Sequence, residues 1–130
     1  MLTADNFRRI ALGMKDAIEG AHMGHPDFRM NGQIFATIHT DHKAGMVKLT
    51  PEQQQDFIHD HPGTFAPEAG AWGRGGYTRV TLEVADEEAV GEAMTLAWQN
   101  IARAQTAKAS KPSRARQPSS RSKTRSPRTR

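Results

Sequence analysis

The step Asn31-Gly32, set between two apolar-rich runs, constrains this chain more than any other feature. A type I′ hairpin turn needs positive φ at both central residues, and Asn-Gly accepts that at the lowest steric cost. A two-residue loop makes Met30 face Gln33, Arg29 face Ile34 and Phe28 face Phe35. The two phenylalanines would then form a cross-strand aromatic pair worth up to about 1 kcal/mol. Ile34, Ala36 and Ile38 fall on the opposite face. With apolar groups on both faces, the hairpin belongs in a sheet covered at least partly on both sides.

The chain has 130 residues, enough for one domain with one core. It has no cysteine, which excludes disulfides and thiolate metal sites. No apolar run approaches the roughly 18 residues of a membrane span, and the N-terminus lacks the basic-then-apolar order of a signal peptide. The expected setting is cytoplasmic, with no membrane partner. The net charge of +4 conceals two unlike parts. Residues 1–105 carry nine Lys or Arg and all fourteen acids, a balance of −5, whereas residues 106–130 carry nine Lys or Arg and no acid, +9. The high isoelectric point therefore describes the tail, not the body.

Three helix starts are legible. Thr3 can cap a first helix with Asp5 in its first turn, and Phe7, Ile10, Ala11, Met14, Ala17 and Ile18 make a helical stripe interrupted by Gly13. Thr50-Pro51-Glu52-Gln53 combines an N-cap Thr, Pro at the first helical position and Gln at the third. Asp86 caps a last helix whose apolar stripe includes Val90, Ala93, Ala97, Trp98 and Ile101. Strands are expected near 27–30, 33–40 and 46–49. Another is expected from Tyr77, with Thr78, Val80, Leu82 and Val84 on one face. Residues 62–76 are rich in Pro, Gly and Ala and predict an irregular crossover. The expected fold class is α+β, an antiparallel sheet of about four or more strands with helices packed on it, in the order α-β-β-β-α-β-α. The domain spans 1–105. The tail 106–130 has no large apolar residue to offset its ordering entropy and is expected to be disordered.

The run from His22 to Ile38 resembles the MmcQ/YjbR family of small bacterial proteins. Met46-Val47-Lys48-Leu49-Thr50-Pro51-Glu52-Gln53 and the run from Trp72 to Leu82 follow in the family's order, so the resemblance covers roughly residues 5–105. It implies a compact α+β domain with an antiparallel sheet, likened to a "double wing" DNA-binding motif, and no catalytic motif. One departure is Met14-Lys15, where such sequences often carry a Leu-Pro pair that breaks the first helix.

Candidate chemistry divides between body and tail. On the body, Arg29, Lys43, Lys48, Arg74 and Arg79 are the cations suited to phosphate contacts, although Asp27, Asp41 and Glu83 lie beside them as on any mixed-charge surface. The last helix opens with Asp86, Glu87 and Glu88, the wrong sign for entering a DNA groove. In the tail, Lys108, Lys111, Arg114, Arg116, Arg121, Lys123, Arg125, Arg128 and Arg130 would bind polyanions without sequence preference, or fold back on the acidic body.

Three close histidine pairs, His22/His25, His39/His42 and His59/His61, have aspartates nearby. Their positions on loops and strand ends favour a structural role over a metal site, so no metal and no cofactor is expected. Gly73-Arg74-Gly75-Gly76 precedes a strand and so lacks the helix N-terminus of a phosphate loop; close backbone packing is the better reading. Paired carboxylates such as Asp16 and Glu19 fit a solvated surface, and no nucleophile motif is visible. Trp98 belongs to a core stripe, while Trp72, beside a glycine, is the one aromatic suited to be a ligand or base platform. The leading expectation is a non-catalytic protein that binds DNA, mostly nonspecifically, through phosphate contacts and the basic tail. The alternative is a small-ligand or protein-interaction module with a cleft near Trp72.

Overall fold

The computed structural model describes residues 2–110. Helix α1 (Ala4–Leu12) starts at the expected cap: the Thr3 hydroxyl accepts the Asn6 N–H, and the Asn6 side chain accepts the Thr3 N–H in return. Strands β1 (Ile18–His22), β2 (His25–Met30), β3 (Gln33–Ile38) and β4 (Ala44–Lys48) follow as an antiparallel meander. Helix α2 (Pro51–Asp60) carries a full capping box between Thr50 and Gln53. The crossover contains a short strand β5 (Phe65–Pro67) and a one-turn helix α3 (Gly70–Arg74) before β6 (Tyr77–Thr81). A 3₁₀ turn over Leu82–Val84 leads to helix α4 (Glu87–Ser110). The six strands form one antiparallel sheet in the order β1-β2-β3-β4-β6-β5.

The α+β class and the antiparallel sheet agree with the sequence, and two strands and one helix are added to the expected order. β1 takes up Ile18, which the sequence assigned to the helical stripe of α1; β5 and α3 occupy the crossover that the sequence left irregular. Helix α4 runs through Ser110, so it carries the chain past residue 105. The tail expected to be disordered lies, from residue 111 on, outside the described residues.

The Asn31-Gly32 turn has φ of 53° and 82°, as a type I′ turn requires. Met30 faces Gln33 and Arg29 faces Ile34 as expected, but Phe28 pairs with Ala36 rather than Phe35. β3 contributes one extra residue, Phe35, between those pairs, a β-bulge that the two-residue register does not foresee. The bulge turns Phe35, Ala36 and Ile38 all into buried positions and leaves Ile34 half-buried. The ring of Phe28 meets Phe7 of α1 at 6.4 Å instead. A second tight turn, Met23-Gly24, also has positive φ at both residues (50° and 80°) and joins β1 to β2.

One face of the sheet is backed by helices. Phe28, Met30, Phe35, Ile38, Val47 and Val80 pack with Phe7 and Ala11 of α1 and with Val90, Ala93, Met94 and Ala97 of α4. Phe57 of α2 adds to this core at the β5 end, 5.0 Å from Phe65. Gly45 lies under α1, where a Cβ would fall 2.6 Å from the Phe7 ring. Val84, expected on the same face as Val80 and Leu82, is exposed, because the chain leaves the sheet after Thr81. Among the described residues, no helix of comparable length lies over the other face. That face carries the polar residues of each strand, with α3 at its rim.

Candidate functional site

Strand alternation sends Phe28 and Met30 into the core and His25, Asp27 and Arg29 to the open face. Asp27 is nevertheless wholly shielded from solvent. Its Oδ1 accepts the Arg29 Nε–H at 2.7 Å, and its Oδ2 accepts Arg29 Nη2 at 3.0 Å and faces His22 Nδ1 at 2.7 Å. Gly20, the cross-strand partner of Asp27, leaves room for this cluster: a Cβ there would lie 3.0 Å from Asp27 Oδ1. The Arg29 hydrogen bond holds the Asp27 carboxyl below the usual range against the opposing cost of burial, with His22 adding in the same direction. Because that carboxylate only accepts, His22 donates from Nδ1 and keeps Nε2 for another partner.

A second imidazole–carboxylate pair joins elements far apart in sequence. His39 Nε2, at the end of β3, is 2.8 Å from Glu68 Oε2, just after β5. Arg79 Nε stands 3.9 Å from the other Glu68 oxygen. Between the two pairs lies His25, its ring centre 5.7 Å from His22 and 6.5 Å from His39. The histidines make one row across β1, β2 and β3.

This row borders a cleft of about 680 Å³. Thr37, Met46 and Lys48 line it from the middle of the sheet, and Tyr77 and Trp72 from β6 and α3. Lys48 Nζ stands 5.5 Å from the centre of the Tyr77 ring, a cation–π contact, and has no carboxylate partner among the described residues. Trp72 meets Tyr77 nearly at right angles, with ring centres 4.9 Å apart, and remains 65% exposed. Sequence reasoning missed the residue that sets this platform, Gln54. Its buried amide donates to Gly73 O, Tyr77 O and Thr78 Oγ1 at 3.0–3.1 Å, tying α2 to both ends of the turn between α3 and β6. The glycine run packs closely, as the sequence suggested. A Cβ on Gly73 would collide with Glu68 O at 1.9 Å, and one on Gly76 with Leu49 O at 2.0 Å.

Of the five body cations singled out from the sequence, Arg29, Lys48 and Arg79 stand on the open face. Arg29 is committed to Asp27, and Arg79 leans toward Glu68. Lys43 is exposed in the β3–β4 turn, where its backbone N–H donates to Asp41, and Arg74 is exposed at the end of α3. That backbone hydrogen bond also lowers the Asp41 carboxyl. Lys108 falls within α4. Lys111, Arg114, Arg116, Arg121, Lys123, Arg125, Arg128 and Arg130 lie outside the described residues. Trp98 is half-buried, its Nε1–H donating to Lys15 O at 2.8 Å.

Among the described residues, no three His, Asp or Glu side chains are placed to hold a metal ion. His59 faces Asp60 on the surface, and His61 packs on Phe57 and Phe65. Among the same residues, no helix is long and apolar enough to cross a membrane.

Comparison with known proteins bears on this fold. None of the curated proteins matches the chain. A crystal structure of the Deinococcus radiodurans protein DR2400, which carries the family domain DUF419, is similar in fold. Its TM-score is 0.71 at 19% identity, and the match covers 84% of this chain and 85% of that one. The family model YjbR matches residues 12–100, from the end of α1 through most of α4, and so takes in every strand and both walls of the cleft. By that match the chain belongs to the YjbR family.

Proposed function

We propose that this YjbR-family chain is a non-catalytic binding module that takes its ligand in the cleft on the open face of the sheet. One observation carries this reading: an exposed Trp72–Tyr77 platform, Lys48 and the histidine row all border a single cleft. A volume of about 680 Å³ falls within the roughly 300–1,000 Å³ of small-ligand sites. The charged groups around it are largely paired with one another, which supports a preformed site. A thermal-shift screen of the full chain against a broad set of small molecules tests it, because a ligand of the folded state raises Tm by mass action. Hits should vanish in Trp72→Ala and Lys48→Ala. Hits that persist in both variants place the site elsewhere.

A second reading is DNA binding by phosphate contacts. It is favoured by the neighbouring β1–β2 and β3–β4 turns, where a Cβ at Gly24 would lie 3.9 Å from Thr40 Cγ2, with Lys43 exposed beside them. These two loops would act as wings, helped by Arg74, Arg79 and the tail cations. Mobility shifts at several salt concentrations test this reading on the full chain and on a chain ending at Ser110. Each phosphate neutralised on duplex DNA should steepen the log–log salt dependence by about 0.9. Binding by neither chain overturns the reading, and binding by the full chain alone assigns it to the tail.

A further inference from the structure

We propose that the cleft is a site for a single nucleotide unit, its base stacked on Trp72 and its phosphate received beside Lys48. The unit is either a free nucleotide or the unpaired end of a single strand. This proposal rests on the reading of the cleft as the ligand site and names the chemistry that fills it.

Three independent features of the lining converge. The first is aromatic. Trp72 keeps 65% of its surface in solvent. The perpendicular contact with Tyr77 fixes its ring and leaves area for a flat partner. Gln54 and the close packing of Gly73 hold the turn that carries it. A rigid exposed indole favours stacking on a base, and stacking tolerates any base.

Charge is the second. The carboxylates at the cleft have partners, Asp27 in Arg29 and His22, and Glu68 in His39 and, at 3.9 Å, Arg79. A guanidinium beside each offsets its repulsion of an anion. Lys48 is the lining cation with no carboxylate partner among the described residues, so it remains available to a phosphate.

Hydrogen-bonding capacity without partners is the third. Thr37 lines the cleft, is about nine-tenths buried, and its hydroxyl makes no hydrogen bond to a described residue. The His25 ring has no hydrogen-bond partner among the described residues, and His22 has one ring nitrogen left over. Such groups suit the hydroxyls of a sugar and the edge of a base, and they disfavour a purely hydrocarbon ligand, which would leave them unpaired. A base inside a duplex has both faces stacked and cannot reach Trp72, so the fitting unit is a free or single-stranded nucleotide.

The test is calorimetric titration of the full chain with adenosine 5′-monophosphate, uridine 5′-monophosphate, adenosine, ribose 5-phosphate, inorganic phosphate and a deoxythymidine decamer. Both monophosphates should bind with Kd of about 1 mM or tighter. Adenosine and ribose 5-phosphate should each bind about tenfold more weakly, since each lacks one of the two anchors. Trp72→Ala should weaken the monophosphates about tenfold or more. Lys48→Met should remove the preference for nucleotide over nucleoside, with both variants keeping the parental Tm. A decamer that binds at least tenfold more tightly and competes with the monophosphate assigns the single strand as the source; comparable affinity assigns the free nucleotide. Equal binding of ribose 5-phosphate and nucleotide, unchanged affinity in Trp72→Ala, or no binding of any nucleotide or of the decamer overturns the proposal. If no nucleotide binds but a compound of another class raises Tm in the parent and not in Trp72→Ala, the cleft reading survives and the nucleotide is wrong.

Discussion

The two faces of this sheet are made by the same strands, and they solve different problems. On the helix-backed face, Phe28, Phe35, Ile38, Val47 and Val80 are sealed under α1 and α4. On the open face, one residue along each strand, stand His25, Asp27, Arg29, Thr37, Met46, Lys48 and Tyr77. The first face supplies apolar burial at about 25 cal/mol per Å². The second adds little apolar burial and keeps its ionic groups in order by pairing them. Stability should therefore be concentrated on one side of the sheet and recognition on the other.

That contrast can be broken by mutation. The largest stability effect should come from the backed face: Phe28→Ala removes a wholly buried ring that touches Phe7 and should cost about 3–5 kcal/mol in urea unfolding. A loss below 1 kcal/mol would mean that the two faces do not differ as described.

Asp27 is the exception on the open face, because it is buried there. Asp27→Asn removes the charge and turns one of the two acceptor oxygens into an NH2 donor, which now faces donors on Arg29 or His22, and should cost about 1–3 kcal/mol. Its pH dependence has a definite sign. Arg29, and then His22, lower the folded-state carboxyl below its unfolded value of about 3.9. The stabilisation is thus complete at neutral pH and is lost as pH falls below about 4 through the folded value. Acid unfolding of the parent should include this loss, and Asp27→Asn should flatten that part of the curve. An unchanged acid limb would show that the cluster lends no pH-dependent stability.

A smaller stability effect is expected at Gln54. Gln54→Leu keeps the volume but removes the side-chain donor shared by Gly73 O, Tyr77 O and Thr78 Oγ1, leaving the two carbonyls only their backbone donors, Gly76 N and Glu68 N. Unfolding stability should fall by about 1–2 kcal/mol, and steady-state fluorescence anisotropy of Trp72 in a Trp98→Phe background should drop. The smallest effects should be at Trp72→Ala and Lys48→Ala, within about 0.5 kcal/mol of the parent, as for surface positions outside the packed core.

What could be read from the sequence follows the reach of each interaction. The caps at Thr3, Thr50 and Asp86 are local chemistry, complete within four residues, and all three form. The Asn31-Gly32 turn is local too. β1 was illegible because Glu19-Gly20-Ala21 has no strand-forming pattern of its own; its pairing is supplied by β2. Met23-Gly24 gave no signal because methionine rarely takes positive φ, whereas the same turn with Asn is a familiar signature. The histidines are visible in the sequence as pairs, and their places on loops and strand ends favour a structural role over metal ligation. Three of them, His22, His39 and His59, face carboxylates, the partner of His39 lying 29 residues away, and no local pattern reports that distance. Trp72 stood out because of its neighbouring glycine, but Gln54, which ties down its turn from α2, could be found only in three dimensions.

Amide chemical-shift mapping of the full chain during titration with adenosine 5′-monophosphate tests most directly whether the open face is the recognition surface. The expected result is a cluster of shifts at Thr37, Met46, Lys48, Trp72 and Tyr77, with the backed-face helices α1 and α4 unmoved. Saturating shifts confined to α1, α2 or α4, or no shifts on the open face up to about 10 mM, a ligand level far above the roughly millimolar Kd of even a weak site, would contradict it.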